Sequence, residues 1–293
     1  MKLISGTDIS KVIKQELFDR VTEFKNNYNF APSLSVILVG EDPASSVYVR
    51  TKQREAEKIG MLSTIIRLNS NITQDELIKH IYRLNNDSDT HGILVQLPLP
   101  GHINETSITE SIDPLKDVDG LSPTNIGLLA SGVPRFIPAT PLGIQQLLLR
   151  SGYEIQGKHV VILGRSNIVG KPLSNLLSIK SASGNATVTL CHSYSNNIET
   201  ICRSADILVA AIGIPNYVKS HMISKDTIAI DVGINRVESI NEKKGYKLIG
   251  DIDFEDVSNK VLAITPVPGG IGPMTIAMLL ENTLKAAFLH AET

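Results

Sequence analysis

Residues 158–180 read KHVVILGRSNIVGKPLSNLLSIK, which is a short apolar strand, a turn bounded by Gly164 and Gly170, and a helical pattern. In a parallel-sheet domain a unit of this kind holds a dinucleotide, because free backbone N–H groups and the positive end of the helix dipole face the turn. The turn lacks the middle glycine of the common G-x-G-x-x-G pattern. We name residues 164–170 the dinucleotide turn; a tight turn without any ligand remains an alternative at this point.

The residues around the dinucleotide turn favour NADP over NAD. The next apolar run, residues 186–190, ends in Cys191-His192-Ser193, where an NAD-preferring site usually places an acid against the ribose hydroxyl. No acid stands there. An arginine in the turn, Arg165, and a hydroxyl after the second run, Ser193, suit a phosphate on that ribose better.

The rest of the chain alternates short apolar runs with helical stretches. Five runs suit a Rossmann-like sheet, at residues 159–164, 186–190, 205–213, 227–233 and 263–267. Upstream, three β-branched runs separated by two helical stretches indicate another parallel sheet, at residues 33–40, 63–68 and 92–97. We therefore predict an α/β fold of two three-layer domains, with the active-site cleft between them.

The predicted first element is an amphipathic helix, because apolar residues recur at helical spacing from Ile9 to Phe24. A stretch rich in Pro, Gly, Asp and Ser marks the approach to the domain boundary. The final predicted helix follows the last Rossmann strand and would return to the first domain. We predict a first domain of residues 1–120 plus 275–293 and a Rossmann domain of residues 121–274.

Composition limits the classes of function. The 293 residues carry a net charge of −2 with 20% charged residues, so there is no basic footprint for nucleic acid. The two cysteines, Cys191 and Cys202, cannot build a disulfide framework, which favours a reducing compartment. The N-terminus has no signal-peptide core, and the apolar runs are strand-sized. We expect a soluble, cytoplasmic protein with small molecules, or copies of itself, as partners and no membrane contact.

Tyr48 and Lys52 stand four residues apart in a helical stretch that follows the first strand of the first domain. Ligands of open parallel sheets lie beyond the carboxyl ends of the strands, so this helix begins at the crevice. Burial there would lower the pKa of Lys52 and make it usable as a general base or acid. A solvated surface lysine is the alternative.

Two more polar positions lie near the same predicted crevice. Gln96 ends the third strand, where it could orient the lysine amine; an exposed strand-end glutamine is the alternative. In K-D-V-D-G, residues 116–120, the carboxylates of Asp117 and Asp119 could face one side, and one of them could grip an amino-pyrimidine edge. An ordinary Asp-Gly turn is the alternative there. No further ligand cluster follows, so we predict no metal site.

Two loops complete the candidate positions. Residues 231–235, DVGIN, end a strand near the expected nicotinamide side, which makes Ile234 a candidate cofactor contact. Residues 264–275, ITPVPGGIGPMT, form a rigid loop whose backbone could approach a flat ligand closely, although a long connector would serve as well. No Ser/His/Asp or Cys/His order suggests a nucleophile.

Six segments together resemble the bifunctional methylenetetrahydrofolate dehydrogenase/methenyltetrahydrofolate cyclohydrolase family. They run in order over nearly the whole chain: Y-V-x-x-K at 48–52, V-Q-L-P-L-P at 95–100, K-D-V-D-G at 116–120, G-R-S-x-I-V-G-K-P at 164–172, D-V-G-I-N at 231–235 and T-P-V-P-G-G-I-G-P-M-T at 265–275. One departure is Ala139 in P-A-T-P, where the family usually has cysteine.

The resemblance implies oxidation of methylenetetrahydrofolate by NADP and hydrolysis of the methenyl product to formyltetrahydrofolate, in one-carbon metabolism and purine biosynthesis, by a homodimer. By the family pattern, Lys52 is the catalytic lysine, Gln96 its hydrogen-bonding helper, Tyr48 a ring packed on the folate and Asp119 the carboxylate that holds the pterin. The cofactor-binding residues so implied are Gly164, Arg165, Ser166, Ser193 and Ile234.

Two other classes remain as alternatives. A shikimate-type NADP dehydrogenase would explain the layout but not K-D-V-D-G or the loop at 265–275. A non-catalytic nucleotide-sensing protein would not need Tyr48, Lys52, Gln96 and Asp119.

Overall fold

The computed structural model describes residues 2–239 and 245–292. The strands are β1 Lys2–Leu3, β2 Ser33–Val39, β3 Leu62–Leu68, β4 Gly92–Val95, β5 His159–Leu163, β6 Thr187–Cys191, β7 Ile207–Ala210, β8 Ile228–Asp231, β9 Asn235–Glu238, β10 Tyr246–Ile249 and β11 Ala263–Ile264. The helices are α1 Gly6–Tyr28, α2 Pro43–Lys58, α3 Gln74–Asn85, α4 Glu105–Ser111, α5 Pro123–Ala130, α6 Ala139–Arg150, α7 Gly170–Ser178, α8 Ile198–Arg203, α9 Phe254–Val257 and α10 Ile271–Ala291.

The chain divides into two compact units. The six-stranded unit contains Met1–Ser10 and Thr140–Thr275, and the three-stranded unit contains Lys11–Ala139 and Ile276–Thr293. Both have a parallel sheet, as the α/β prediction requires. Within the described residues, each helix is too short or too polar to cross a membrane.

The six-stranded sheet has the order β1-β11-β8-β7-β5-β6, and all its strands are parallel. From β5 the chain goes to β6 on one side and then to β7 on the other side. The loop after β5 therefore lies at a topological switch point, where ligands of open α/β sheets bind. The inner strands β7 and β8 are buried along their whole length, as expected for a sheet covered on both faces.

Two features of this unit were not predicted from the sequence. The N-terminal residues of β1 pair with β11, and the Ile4 backbone N–H donates to the Ile264 carbonyl at 2.8 Å. An antiparallel pair, β9 with β10, follows β8. Both features are short strands, and β1 has only two residues, which is too few for a detectable alternation of apolar and polar positions.

The three-stranded sheet has the order β3-β2-β4, and both pairs are parallel. The central strand β2 is buried throughout. A capping box begins α3: Glu76 N–H donates to the Thr73 hydroxyl, and Thr73 N–H donates to the Glu76 carboxylate.

Helix α10 packs within the three-stranded unit over its last part. The Asn282 side-chain amide donates to the backbone carbonyls of Val118 and Ile137, both at 2.9 Å. The rings of Phe24 and Phe288 meet edge to face with centroids 4.9 Å apart. These contacts place residues from both ends of the chain in one core.

The boundaries of the units differ from the predicted domains at two places. Residues 1–10 belong to the six-stranded unit, because β1 is a strand of its sheet. Residues 121–139 belong to the three-stranded unit, because the bond from Asn282 to Ile137 and the bonds from Ser122 and Asn125 to Asp117 hold them there.

Candidate active site

Helix α2 carries Tyr48 and Lys52 and begins just past the carboxyl end of β2. Asp42 forms the N-cap, since its carboxylate accepts a hydrogen bond from Ser45 N–H at 2.7 Å, and Pro43 takes the first helical position. The helix start is therefore fixed by local sequence, and Lys52 lies in its third turn. We call Tyr48, Lys52, Gln96 and Asp119 the lysine site.

Lys52 is buried and hydrogen-bonded. Its side chain is 6% exposed, and its Nζ donates to the Gln96 Oε1 atom at 2.9 Å. Burial lowers the pKa of Lys52 to about 8, although the negative charge of Asp119 acts in the opposite direction. An amine with this pKa exchanges protons close to neutral pH. The surface-lysine alternative is therefore wrong.

Gln96 presents its carbonyl oxygen to Lys52 for a structural reason. Its backbone N–H continues the β4 pairing by donating to the Ile37 carbonyl at 2.9 Å, which fixes its place at the strand end. Its Nε2 donates to the Leu97 carbonyl at 2.6 Å. With the amide nitrogen so engaged, Oε1 is the atom directed at the lysine.

The two carboxylates of K-D-V-D-G have different surroundings. Asp117 accepts hydrogen bonds from the N–H groups of its own loop, whereas no group in residues 2–239 and 245–292 donates to the Asp119 carboxylate. Asp119 is half-buried, and burial raises its pKa to about 6; Lys52 opposes this rise and Asp117 adds to it. Asp119 is the carboxylate that remains available to a ligand.

Tyr48 completes the lysine site. It lies one turn before Lys52 on α2 and is half-buried, and the Lys52 Nζ is 5.1 Å from the centre of its ring. The ring thus borders the lysine amine and offers a flat surface to a ligand. The structure brings together all four residues that the sequence assigned to this site.

The dinucleotide turn depends on its two glycines. Gly164 has φ +110°, and a Cβ there would lie 2.1 Å from the Ala211 carbonyl oxygen. A Cβ on Gly170 would lie 1.9 Å from the Gly164 carbonyl oxygen. Both positions therefore require glycine, and the backbone is folded tightly against the ends of β5 and β7.

Arg165 and Ser193 follow the ends of the neighbouring strands β5 and β6, at the same level of the sheet. Leu163 pairs with Cys191 in the β5–β6 register, and each of the two residues follows two positions later. Both side chains are exposed, and neither makes a hydrogen bond or ion pair with the residues that the structure describes. A guanidinium and a hydroxyl at adjacent strand ends suit a phosphate group.

Ser166 has a different role within the turn. Its hydroxyl oxygen accepts from Val169 N–H at 3.1 Å and Gly170 N–H at 3.4 Å, so it is bonded to the backbone where α7 begins. The hydroxyl proton can still be donated to a ligand. The chain offers both a cradle that a Cβ would fill and uncommitted polar side chains, which fits a dinucleotide phosphate.

A residue that was not predicted from the sequence organises the loops after β7 and β8. The Asp251 carboxylate accepts from Ile212 N–H at 2.7 Å, Gly213 N–H at 2.9 Å and the Asn235 side-chain amide at 2.9 Å. The exposed Ile234 side chain lies in the loop so held. The sequence signal for Asp251 was the glycine before it. Position 250 requires glycine, because a Cβ there would lie 1.8 Å from the Asp231 carboxylate.

The described residues contain no group of three or more His, Cys, Asp and Glu side chains that could hold a metal ion. Ala139, at the position where the resembled family has cysteine, is buried as the first residue of α6.

Two family models match the chain. The catalytic domain of tetrahydrofolate dehydrogenase/cyclohydrolase matches residues 4–119, and the NAD(P)-binding domain of the same enzymes matches residues 138–291. Bifunctional protein FolD of Chlorobium phaeobacteroides (strain BS1) is 52% identical over 288 residues, which is 98% of this chain and 97% of that protein.

Solved structures agree with these matches. The bifunctional methylenetetrahydrofolate dehydrogenase/cyclohydrolase of Campylobacter jejuni has a TM-score of 0.92 at 46% identity, with 99% of each chain covered. The Trypanosoma brucei methylenetetrahydrofolate dehydrogenase-cyclohydrolase, solved with NADP and an inhibitor, has a TM-score of 0.94 at 38% identity, with 99% of this chain and 98% of that chain covered. The resemblance inferred from the six sequence segments is confirmed.

Proposed function

The chain belongs to the tetrahydrofolate dehydrogenase/cyclohydrolase family, and from this premise we propose that it oxidises methylenetetrahydrofolate with NADP and hydrolyses the methenyl product to formyltetrahydrofolate. The observation that carries the proposal is the buried Lys52 amine, which is bonded to Gln96 and has its pKa lowered to about 8. Hydrolysis needs such a group, because a proton must leave water and reach a departing nitrogen near neutral pH.

Lys52 acts as the general base and acid of the hydrolysis. The neutral amine takes a proton from water as the water oxygen bonds to the methenyl carbon. The same proton passes to the ring nitrogen as its bond to that carbon breaks, and the remaining hydroxyl proton leaves to solvent as the formyl C=O bond forms. Gln96 supports this role by holding Nζ through Oε1. Tyr48 packs its ring on the folate, as its place beside Nζ suggests.

Asp119 holds the pterin. Its carboxylate is half-buried and accepts no hydrogen bond from the described residues, so it can receive N–H bonds from an amino-pyrimidine edge. This assignment uses the one carboxylate of K-D-V-D-G that is available, and it leaves Asp117 to the backbone.

Residues of the dinucleotide turn would hold the phosphate groups of NADP, which would supply the hydride acceptor for the oxidation. Gly164 allows the backbone to approach the pyrophosphate, Arg165, Ser166 and Ser193 bind the phosphate on the ribose, and Ile234 contacts the nicotinamide side. Support comes from the uncommitted guanidinium and hydroxyl at adjacent strand ends. Oxidation itself needs positioning of the two reacting carbons more than it needs a base.

Hydride transfer occurs between atoms in contact, so the reacting carbons of the folate and of NADP must lie next to each other during the oxidation. We further propose a cytoplasmic homodimer whose formyl product serves purine biosynthesis. The family membership supports these assignments, and sedimentation of the purified protein tests the dimer.

A spectrophotometric assay of the purified protein tests the function. With methylenetetrahydrofolate we expect reduction of NADP to be much faster than reduction of NAD, and with methenyltetrahydrofolate we expect hydrolysis above the uncatalysed rate. Absence of both reactions would favour the nucleotide-sensing alternative. Turnover of shikimate instead would favour the shikimate-type alternative, which the family match disfavours.

A further inference from the structure

Asp117 is the most heavily engaged carboxylate near the lysine site. It is 1% exposed. Its Oδ1 accepts from the N–H groups of Gly120 at 3.0 Å and Leu121 at 3.3 Å, and its Oδ2 accepts from Ser122 N–H at 2.8 Å and the Asn125 side-chain amide at 2.9 Å. All four donors follow Asp119 in the chain, within six residues of it.

The part of this loop that precedes Asp119 is bonded to β4 and to the end of α3. Ile93 N–H of β4 donates to the Lys116 carbonyl at 2.7 Å, and Lys116 Nζ donates to the carbonyls of Leu84 and Asp87. Gly120 turns the chain with φ +69°, and a Cβ there would lie 2.9 Å from the Pro138 nitrogen. The backbone before Asp119 is thus held by β4, and the backbone after it is held by Asp117.

We propose that Asp117 is a positioning residue for the reaction, because its carboxylate fixes the loop that presents Asp119 to the substrate next to the lysine site. This inference rests on the proposed function, which gives Asp119 its contact with the pterin. Asp117 itself is too buried and too fully bonded to contact a substrate.

Asp117 also contributes a negative charge. The charged groups that act on Asp119 are Lys52 from α2 and Asp117 from its own loop. Burial and the charge of Asp117 raise the pKa of Asp119, and Lys52 lowers it. Replacing Asp117 by a neutral residue must therefore lower the pKa of Asp119 and keep Asp119 ionised at more acidic pH.

The test is Asp117→Asn, an isosteric change that removes the charge and leaves some loop N–H groups without an acceptor. We expect the KM for methylenetetrahydrofolate to rise about tenfold, as for the loss of one charge-assisted hydrogen bond, with an unchanged Kd for NADP. In the plot of kcat/KM against pH for methylenetetrahydrofolate oxidation, the acidic limb that reports ionisation of Asp119 should move to lower pH. A purely structural role would not move this limb.

Asp113→Asn is the matched control, because the Asp113 carboxylate accepts from Leu115 N–H in the same segment but bonds nothing after Asp119. We expect it to leave the KM and the limb close to those of the unaltered protein. In Asp117→Asn/Asp119→Asn the limb shift should vanish. An Asp117→Asn protein that keeps both the original KM and the original limb would overturn the inference.

Asn125→Ala covers the case in which Asp117→Asn does not fold. It removes one of the four donors and keeps the charge, so we expect a smaller rise in KM and no limb shift; an unchanged KM would count against the positioning role. Asp119→Asn separates this inference from the proposed function. If Asp119→Asn leaves the folate KM unaltered, the assignment of Asp119 to the pterin fails, whatever Asp117 does.

Discussion

The lysine site and the dinucleotide turn are built in opposite ways. In the lysine site, Lys52 is already buried and bonded to Gln96, and the adjacent Asp117 is bonded to the loop that carries Asp119. In the dinucleotide turn, the main chain is the constrained part. The exposed side chains of Arg165 in the turn and of Ser193 at the neighbouring strand end make no hydrogen bond or ion pair with the residues that the structure describes. The comparison indicates that the lysine site is organised by buried, hydrogen-bonded side chains, whereas the dinucleotide turn is organised by the shape of its backbone.

The largest effect should follow removal of the buried Lys52 amine. Lys52→Met should lower the rate of methenyltetrahydrofolate hydrolysis by about 10²–10⁴-fold, because it removes the proposed general base. The Kd for NADP should not change. Hydrolysis and fluorescence titration measure the two quantities, and Lys79→Met, at an exposed lysine on α3, is the control.

The same variant should be more stable than the parent protein at pH 7. The pKa of Lys52 is lowered from 10.5 to about 8, so below pH 8 the folded state holds a buried charge at a cost, and this cost disappears as pH rises from 8 toward 10.5. We expect a gain of about 1–3 kcal/mol in the free energy of unfolding at pH 7. A destabilised variant would contradict the burial argument.

The next largest effect should come from the backbone of the dinucleotide turn. Gly164→Ala should weaken NADP binding about a hundredfold, since the added Cβ meets the Ala211 carbonyl and φ is +110°. Gly157→Ala is the matched control: its φ is +74°, but nothing lies within 4 Å of the added Cβ. Calorimetric titration should show weakened binding only for Gly164→Ala.

A smaller and more selective effect should follow loss of the exposed guanidinium. Arg165→Ala should weaken NADP about tenfold or more and leave NAD almost unchanged, because the lost interaction is a charge-assisted contact with the extra phosphate. Steady-state KM values for both cofactors measure it, with Arg67→Ala at an exposed arginine of β3 as control. Equal losses for NADP and NAD would remove Arg165 from the phosphate site.

The pH dependence of hydrolysis at the lysine site gives the last test. In the proposed mechanism the neutral form of Lys52 is the base, so hydrolysis should rise about tenfold per pH unit below its pKa and level off above about pH 8. Initial rates between about pH 6 and 9, corrected with Lys52→Met, test this. A flat profile across pH 8 would mean that another group accepts the proton.

The sequence predicted the helices and strands in which apolar residues recur at regular spacing. Buried parallel strands and the α3 capping box follow from local pattern, and the helix after β2 had to begin near the crevice. The two residues of β1 carry no period, and their pairing with β11 is decided by tertiary contact. Short segments of this kind become strands only when a neighbouring strand offers its edge.

The candidate site shows a similar limit. Alternate spacing suggested that Asp117 and Asp119 face one side, yet the turn at Gly120 folds the following N–H groups back onto Asp117 alone. Asp251 was missed because its partners come from two other loops, after β7 and β8. Residue type and spacing identify groups that act within their own segment, whereas groups that join distant loops need the fold.

The strand β1 also affects the order in which the six-stranded sheet can form. The N-terminal segment pairs with β11, and the Thr7 hydroxyl donates to the Gly269 carbonyl, 262 residues further along the chain. Segments 262 positions apart must therefore meet before this edge of the sheet is complete, and closing so long a loop carries an entropic cost. The strand β1 can join the six-stranded sheet only after β11 has been made.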